Sequence, residues 1–260
     1  MLRYFLRYSN IKIIAILFVL FLQFAHATIT APTLIAIHDS DENAFVQGFE
    51  VIKDDKLLMA TGLYGKSFIG VFDLATQRYT IKDTLPAEFF GEGATVTPYG
   101  IWQLTWRENT AFLRSLQDLR PIHTKHYDTE GWGLAYDDAN DRLYMSDGTS
   151  KLQIRNAQTF ELISTLPVRY HGKDIKFINE LEFANGFIYA NIWQTNFIIK
   201  IDPKNGNISQ IYDVSNLLGT HLNQRVQQNI DVLNGIAHIK NDRFYITGKF
   251  YPVIFEVELP

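Results

Sequence analysis

The strongest constraint on this chain is a pattern that returns about every 45 residues. Each copy runs from an apolar strand, through a small or polar pair and a short connection, into a second apolar strand. Residues 57–62 lead to 68–73, 101–106 to 111–113, 143–148 to 152–154, 188–191 to 197–203, and 244–249 to 253–257. The strands are short and rich in Ile, Phe, Tyr and Val. Gly, Asp and Asn turns separate them, such as Asp54-Asp55 and Asn185-Gly186. Five copies of blade size predict an all-β fold, a five-bladed β-propeller. A β-sandwich is the next fold compatible with so many strands, and the repeat period disfavours it. A short helical turn is expected within residues 214–222.

Residues 1–27 read as a secretory signal peptide. Arg3, Arg7 and Lys12 form a basic start, an apolar stretch follows, and Ala25-His26-Ala27 fits the small-x-small cleavage rule. The apolar stretch is short for a bilayer span of roughly 20 residues. Cleavage is therefore expected over retention as an anchor. Residues 28–260 then form a single propeller domain, exported to the periplasm or secreted.

Loss of the leader leaves 21 basic residues against 28 acidic ones, a net charge of about −7. That charge argues against nucleic acid as a partner, since phosphates need basic patches. The chain has no cysteine, which removes thiol nucleophiles and zinc-thiolate sites. There is no G-x-S-x-G elbow, no H-E-x-x-H and no phosphate-binding loop. His123 and His126 lie beside a charged turn and read as exposed. No cofactor is expected, although Asp-rich turns leave room for a structural calcium ion.

In a propeller, residues at equivalent points of different repeats meet at one end of the central channel. Trp106 and Lys249 hold similar places in their repeats, and Trp193 and the Gly148 turn follow equivalent strands. Each Trp alone reads as core packing. Trp106, Trp132 and Trp193, all in polar or glycine-containing settings, together point to an aromatic pocket. Trp102, earlier in its strand, reads as core. Glu92 stands between Gly91 and Gly93, either as an exposed turn acid or as a carboxylate brought close to a ligand. Glu130, before Gly131, poses the same question. Gln47, in an apolar run, needs a hydrogen-bond partner from protein or ligand. Asn179 and Asn234 open strands as caps or contacts, and Lys249 follows Gly248 into an aromatic stretch.

These motifs, in their order, resemble the glutamine cyclotransferases of plants and bacteria, the papaya-latex type. The resemblance rests on Phe45-Val46-Gln47-Gly48-Phe49, Phe90-Gly91-Glu92-Gly93, Leu104-Thr105-Trp106, Glu130-Gly131-Trp132-Gly133, Asn179-Glu180-Leu181-Glu182, Ala190-Asn191-Ile192-Trp193, Asp231-Val232-Leu233-Asn234-Gly235 and Thr247-Gly248-Lys249. It implies a five-bladed propeller and a glutaminyl-peptide cyclotransferase. Such an enzyme closes N-terminal glutamine of peptides or proteins to pyroglutamate and releases ammonia without a metal. It implies Glu92 as proton carrier, Lys249 and Asn179 as catalytic partners, and Phe45, Gln47, Trp106, Trp132 and Trp193 around the substrate. A monomer acting on peptides, without membrane contact once the leader is cut, is expected. Phe49 stands where the family usually has Leu, near the pocket's entrance motif, and Tyr251 where it has Trp. The competing class is a non-catalytic propeller that holds peptide N-termini or sugars in the same aromatic pocket.

Overall fold

A computed structural model describes residues 28–260; the signal-peptide expectation falls on residues outside them. The chain enters through β1 (Thr28–Thr30) and β2 (Thr33–Asp39). It then builds blade 1 from β3 (Val46–Lys53), β4 (Lys56–Thr61), β5 (Phe68–Asp73) and β6 (Arg78–Thr84). Blade 2 is β7 (Gly91–Thr97), β8 (Gly100–Thr105), β9 (Thr110–Arg114) and β10 (Pro121–His126). Blade 3 is β11 (Leu134–Asp137), β12 (Arg142–Met145), β13 (Lys151–Asn156) and β14 (Leu162–Pro167). A small hairpin, β15 (Arg169–Tyr170) and β16 (Lys173–Asp174), leads to blade 4: β17 (Ile178–Ala184), β18 (Phe187–Ile192), β19 (Phe197–Ile201) and β20 (Ile208–Asp213). Helices α1 (Ser215–His221) and α2 (Gln224–Gln227) precede β21 (Leu233–Lys240), β22 (Arg243–Gly248) and β23 (Val253–Glu258).

Blade 5 takes its fourth strand from the start of the chain. β2 pairs antiparallel with β23, with Ala36 opposite Glu256. β1 adds to blade 4 as a fifth strand, parallel to β20, so that blade exceeds the four strands of the repeat. The expected helical turn is α1, and α2 is a further short helix.

Five apolar cores hold the ring, one between each pair of neighbouring blades. Leu58, Ile69 and Ala94 join blades 1 and 2, and Trp102, Leu134 and Phe160 join blades 2 and 3. Tyr144 and Leu181 join blades 3 and 4, Tyr189 and Phe244 join blades 4 and 5, and Tyr245 and Phe49 close blade 5 onto blade 1. This explains the strand patterns. Each middle strand is covered on both faces, so β4 is an unbroken buried run after Lys56. The outer strand β6 alternates half-buried and exposed residues. Trp102 is core as expected, with its Nε1 donating to the Ala157 carbonyl at 2.7 Å. His123 and His126 lie on the exposed strand β10, as their charged surroundings in the sequence suggested.

The repeat recurs in backbone conformation. The hairpin between first and second strands carries a positive-φ residue in every blade: Asp54, Gly100, Asp141, Asn185 with Gly186, and Asn241. These residue types tolerate positive φ best. The first strands line the axis and approach closely. At Gly133 an added Cβ would lie 2.1 Å from the Asn179 carbonyl, so only glycine lets blades 3 and 4 meet there.

Candidate active site

The first strands of blades 1, 2, 4 and 5 all begin with a pairing irregularity, at Val46/Gly48, Gly91/Ala94, Ile178/Leu181 and Leu233/Ile236. A bulge turns side chains away from the ladder. The residues released are Gln47, Glu92, Asn179 and Asn234, each no more than 4% exposed. Asn234 Nδ2 donates to Gln47 Oε1 at 3.0 Å and to the Val46 carbonyl at 3.0 Å. Gln47 Nε2 in turn donates to Glu92 Oε1 at 2.8 Å. A relay of two amides therefore holds one oxygen of the buried carboxylate.

The aromatic wall comes from a second repeated position. In all five blades the carbonyl just before the first strand accepts the N–H of the residue just after the second, in blade 3 as Gly133 with Ser146 at 3.0 Å, and four of the five carry or face the pocket's large side chains. Those four pairs are Phe45 with Gly62, Phe90 with Trp106, Phe177 with Trp193, and Val232 with Lys249, at 2.8–3.0 Å. This hydrogen bond aims Trp106, Trp193 and Lys249 toward one mouth of the channel. In blade 1 the position is Gly62, because a Cβ there would sit 2.2 Å from the Phe90 ring. In blade 3 the position is Ser146, and the aromatic ring comes instead from Trp132, ahead of the first strand, whose indole lies against Gly148.

Gln47, Phe90, Glu92, Trp106, Trp132, Asn179 and Trp193 line one pocket of about 110 Å³. Trp132 and Trp193 meet edge to face with ring centres 5.7 Å apart, and Phe90 and Trp106 lie 5.4 Å apart. Phe45 and Lys249 form an adjoining layer. The Lys249 ammonium stands 4.7 Å from the Phe45 ring centre, and the Phe45 ring is edge-on to Phe90. Lys249 is 5% exposed. Among the described residues no carboxylate is within ion-pair distance of it.

Burial and charge shape the acid–base properties. Burial pushes the Glu92 carboxyl well above the ordinary carboxylate range. Lys249 pulls it back, while Glu130 and Glu108 add to the rise. Burial lowers the Lys249 ammonium, and Glu92 and Asp231 oppose that shift. A buried acid whose carboxyl holds its proton more tightly than usual, with a cation pulling against that shift, suits proton transfer beside a developing negative charge.

Glu130 plays a part that its sequence context did not reveal. Its Oε2 accepts from Trp106 Nε1 at 2.8 Å and from Trp132 Nε1 at 3.0 Å. Its Oε1 accepts from Arg107 Nε at 3.1 Å, and the Arg107 guanidinium lies 3.7 Å from the Trp106 ring centre. Burial raises this carboxyl, but the bonds from Trp132, Trp106 and Arg107 outweigh it and hold the group below its ordinary value. The clasp fixes two walls of the pocket from behind.

Phe90, Asn234 and Glu130 were not among the expected site residues. Phe90 stands in the place that Phe45 holds in blade 1, so aligning the repeats would have found it. Phe49 corrects an expectation. It packs in the core between blades 5 and 1, away from the pocket, and only its N–H turns to the channel, donating to Glu180. Tyr251, the other departure, is core as well.

Below the site the channel holds three more carboxyls. Glu180 accepts from the N–H groups of Phe49 and Ile236, Glu182 from His238, and Glu50 from Val96. Burial raises all three, Glu180 and Glu182 well above the ordinary carboxylate range and Glu50, beside Glu182, to about 7. Among the described residues no group of three His, Cys, Asp or Glu side chains is arranged to hold a metal ion.

Comparison with known proteins agrees with this geometry. A family model described as glutamine cyclotransferase matches residues 14–259. An Arabidopsis thaliana glutaminyl-peptide cyclotransferase is 37% identical over 230 residues, covering 87% of this chain and 70% of the relative. The crystal structure of Myxococcus xanthus glutaminyl cyclase superposes with a TM-score of 0.78 at 31% identity, over 90% of this chain and 98% of that one. A Bacteroides thetaiotaomicron protein of 12% identity superposes with a TM-score of 0.54 over 90% of this chain and 74% of its own, a likeness of fold alone. The chain belongs to the glutamine cyclotransferase family.

Proposed function

We propose that this protein is a glutaminyl-peptide cyclotransferase in which Glu92 carries the proton. The observation that supports the role is the carboxylate itself. It is 4% exposed and lines a tryptophan-walled pocket, with one oxygen tied to Gln47. Its other oxygen is free for substrate.

The reaction is internal to the substrate. The neutral α-amine attacks the side-chain amide carbon, a C–N bond closes the five-membered lactam, and the bond to the amide nitrogen breaks. The Trp walls and Phe90 hold the flexible glutamine folded, so the amine and carbonyl start in contact distance. Glu92 takes a proton from the attacking amine and passes one to the departing nitrogen, which leaves as ammonia. Negative charge on the amide oxygen is met by Lys249, with Asn179 orienting the amide. Water excluded by the indoles strengthens each of these interactions.

Metal independence, a monomeric state and export after cleavage of residues 1–27 complete the proposal. No helix among the described residues is long and apolar enough to cross a membrane. The test is incubation of the purified chain with a Gln-initiated peptide after exhaustive chelation. Loss of about 17 Da, the mass of the ammonia expelled when the poised amine closes the ring, is the expected result. Binding of the peptide without any mass loss would leave a non-catalytic propeller.

A further inference from the structure

Four blades place an aromatic residue at the entry to their first strand: Phe45, Phe90, Trp132 and Phe177. The first three are half-buried around the pocket, whereas Phe177 is 51% exposed. Its backbone is left-handed, with φ of 63°, a conformation that disfavours a bulky side chain. Hydrogen bonds lock this conformation from both sides. The Phe177 N–H donates to the Gly148 carbonyl at 2.8 Å, and its own carbonyl accepts from the Trp193 N–H at 2.8 Å. The ring centre stands 6.0 Å from that of Trp193. The fold thus holds a large apolar ring in solvent, in a strained conformation, against one wall of the pocket.

Isolated exposed hydrophobic residues need no explanation, but strain locked in place at a site does. The pocket of about 110 Å³ has room for one side chain. A peptide whose N-terminal glutamine fills it must carry its second residue over the rim. On the blade 2 side that rim is polar, with Arg107 laid over Trp106 and paired with Glu130. On the blade 4 side it is the bare face of Phe177. We propose that Phe177 contacts the second residue of the substrate and biases the enzyme toward peptides with an aromatic or large apolar residue there. This rests on the cyclase reading above.

The experiment compares kcat/KM for Gln-Phe-amide and Gln-Gly-amide in the wild type, Phe177→Gly, Phe177→Leu and Phe177→Tyr. Glycine accepts the left-handed backbone, and leucine keeps apolar bulk if the glycine variant folds poorly. The wild type is expected to favour Gln-Phe-amide. Phe177→Gly should reduce that preference about three- to tenfold, the worth of one aromatic pair. Phe177→Leu should fall between, and Phe177→Tyr should retain the preference. An unchanged ratio in the glycine and leucine variants overturns the proposal, as does an equal loss on both substrates, which would mean that Phe177 acts only by supporting Trp193. A wild type that cyclises neither peptide overturns the cyclase reading and this one with it.

Discussion

Gln47 Nε2 donates to Glu92 Oε1 across 2.8 Å, joining the first strand of blade 1 to that of blade 2. Asn234 of blade 5 stands behind Gln47 and fixes its amide. Three blades therefore set the position of one carboxylate, and a displacement of any of them moves the proposed proton carrier. Each prediction below alters one group facing that carboxylate or the channel beneath it.

Glu92→Gln keeps the size of the side chain and removes the base. Turnover should fall by roughly 10²- to 10⁴-fold, the usual contribution of a positioned acid–base group. Gln-peptide affinity should change little, because the Trp walls remain. Steady-state kinetics with a binding isotherm measures both, and near-normal turnover would assign proton transfer to another group.

Lys249→Met should cost about 10²- to 10³-fold in kcat, as expected for one lost oxyanion donor. It should also move the residual pH profile. Lys249 pulls the Glu92 carboxyl down from the value that burial imposes. Without the cation Glu92 ionises later, and the acidic limb of kcat/KM shifts to higher pH. A limb that stays in place would show that the limb does not report Glu92.

Glu130 variants should move that limb the other way. Glu130 adds to the rise of the Glu92 carboxyl, so Glu130→Gln should shift the limb to lower pH. Glu130→Ala also releases the indoles of Trp106 and Trp132. We expect about a tenfold loss in kcat/KM, toward the low end for hydrogen bonds to a charged group because the carboxylate is partly solvated. A purely supporting role would lower thermal stability and leave the pH profile where it was. Thermal melts and pH–rate curves on the same preparations separate the two.

Glu50 governs stability rather than turnover. Burial raises its carboxyl from 4.5 to about 7 in the folded chain, next to Glu182. The folded state therefore binds a proton that the unfolded state releases. This contribution is full below pH 4.5 and is lost as pH rises toward 7. Glu50→Gln should stabilise the protein at pH 8 and change little at pH 4. The gain should be about 1 kcal/mol, reduced from the full linkage because water reaches part of the side chain. That corresponds to roughly 2–4 °C in Tm for a domain of this size. Melting curves at the two pH values decide it, and an equal effect at both would sink the argument.

The five-bladed architecture could be read from the sequence because every blade repeats the same buried middle strands. Residues such as Leu57-Leu58-Met59-Ala60 need cover on both faces, and only neighbouring blades supply it. The convergence of Trp106, Trp193 and Lys249 was legible for the same reason, since each follows the second strand of its blade. What stayed hidden depends on contacts across blades. Nothing local marks Asn234 as the support of Gln47, which is 187 residues away in the chain. Glu130 looked like a loop acid, and its role appears only when Trp106 folds back over it. Phe49 misled because its neighbour Gln47 faces the pocket, while the bulge at Val46/Gly48 sends Phe49 into the core.

The pairing of β2 with β23 sets a timetable for the nascent chain. Ala36 must wait for Glu256, and at 5–20 residues per second that wait is roughly ten to forty seconds. Until then β2 has no partner strand, the cores flanking blade 5 lack a side, and Gln47 has no completed blade 5 to hold Asn234 against it. The polypeptide is therefore at its most adhesive just before blade 5 closes, and the pocket is assembled only once Asn234 and Lys249 have joined the residues of the earlier blades.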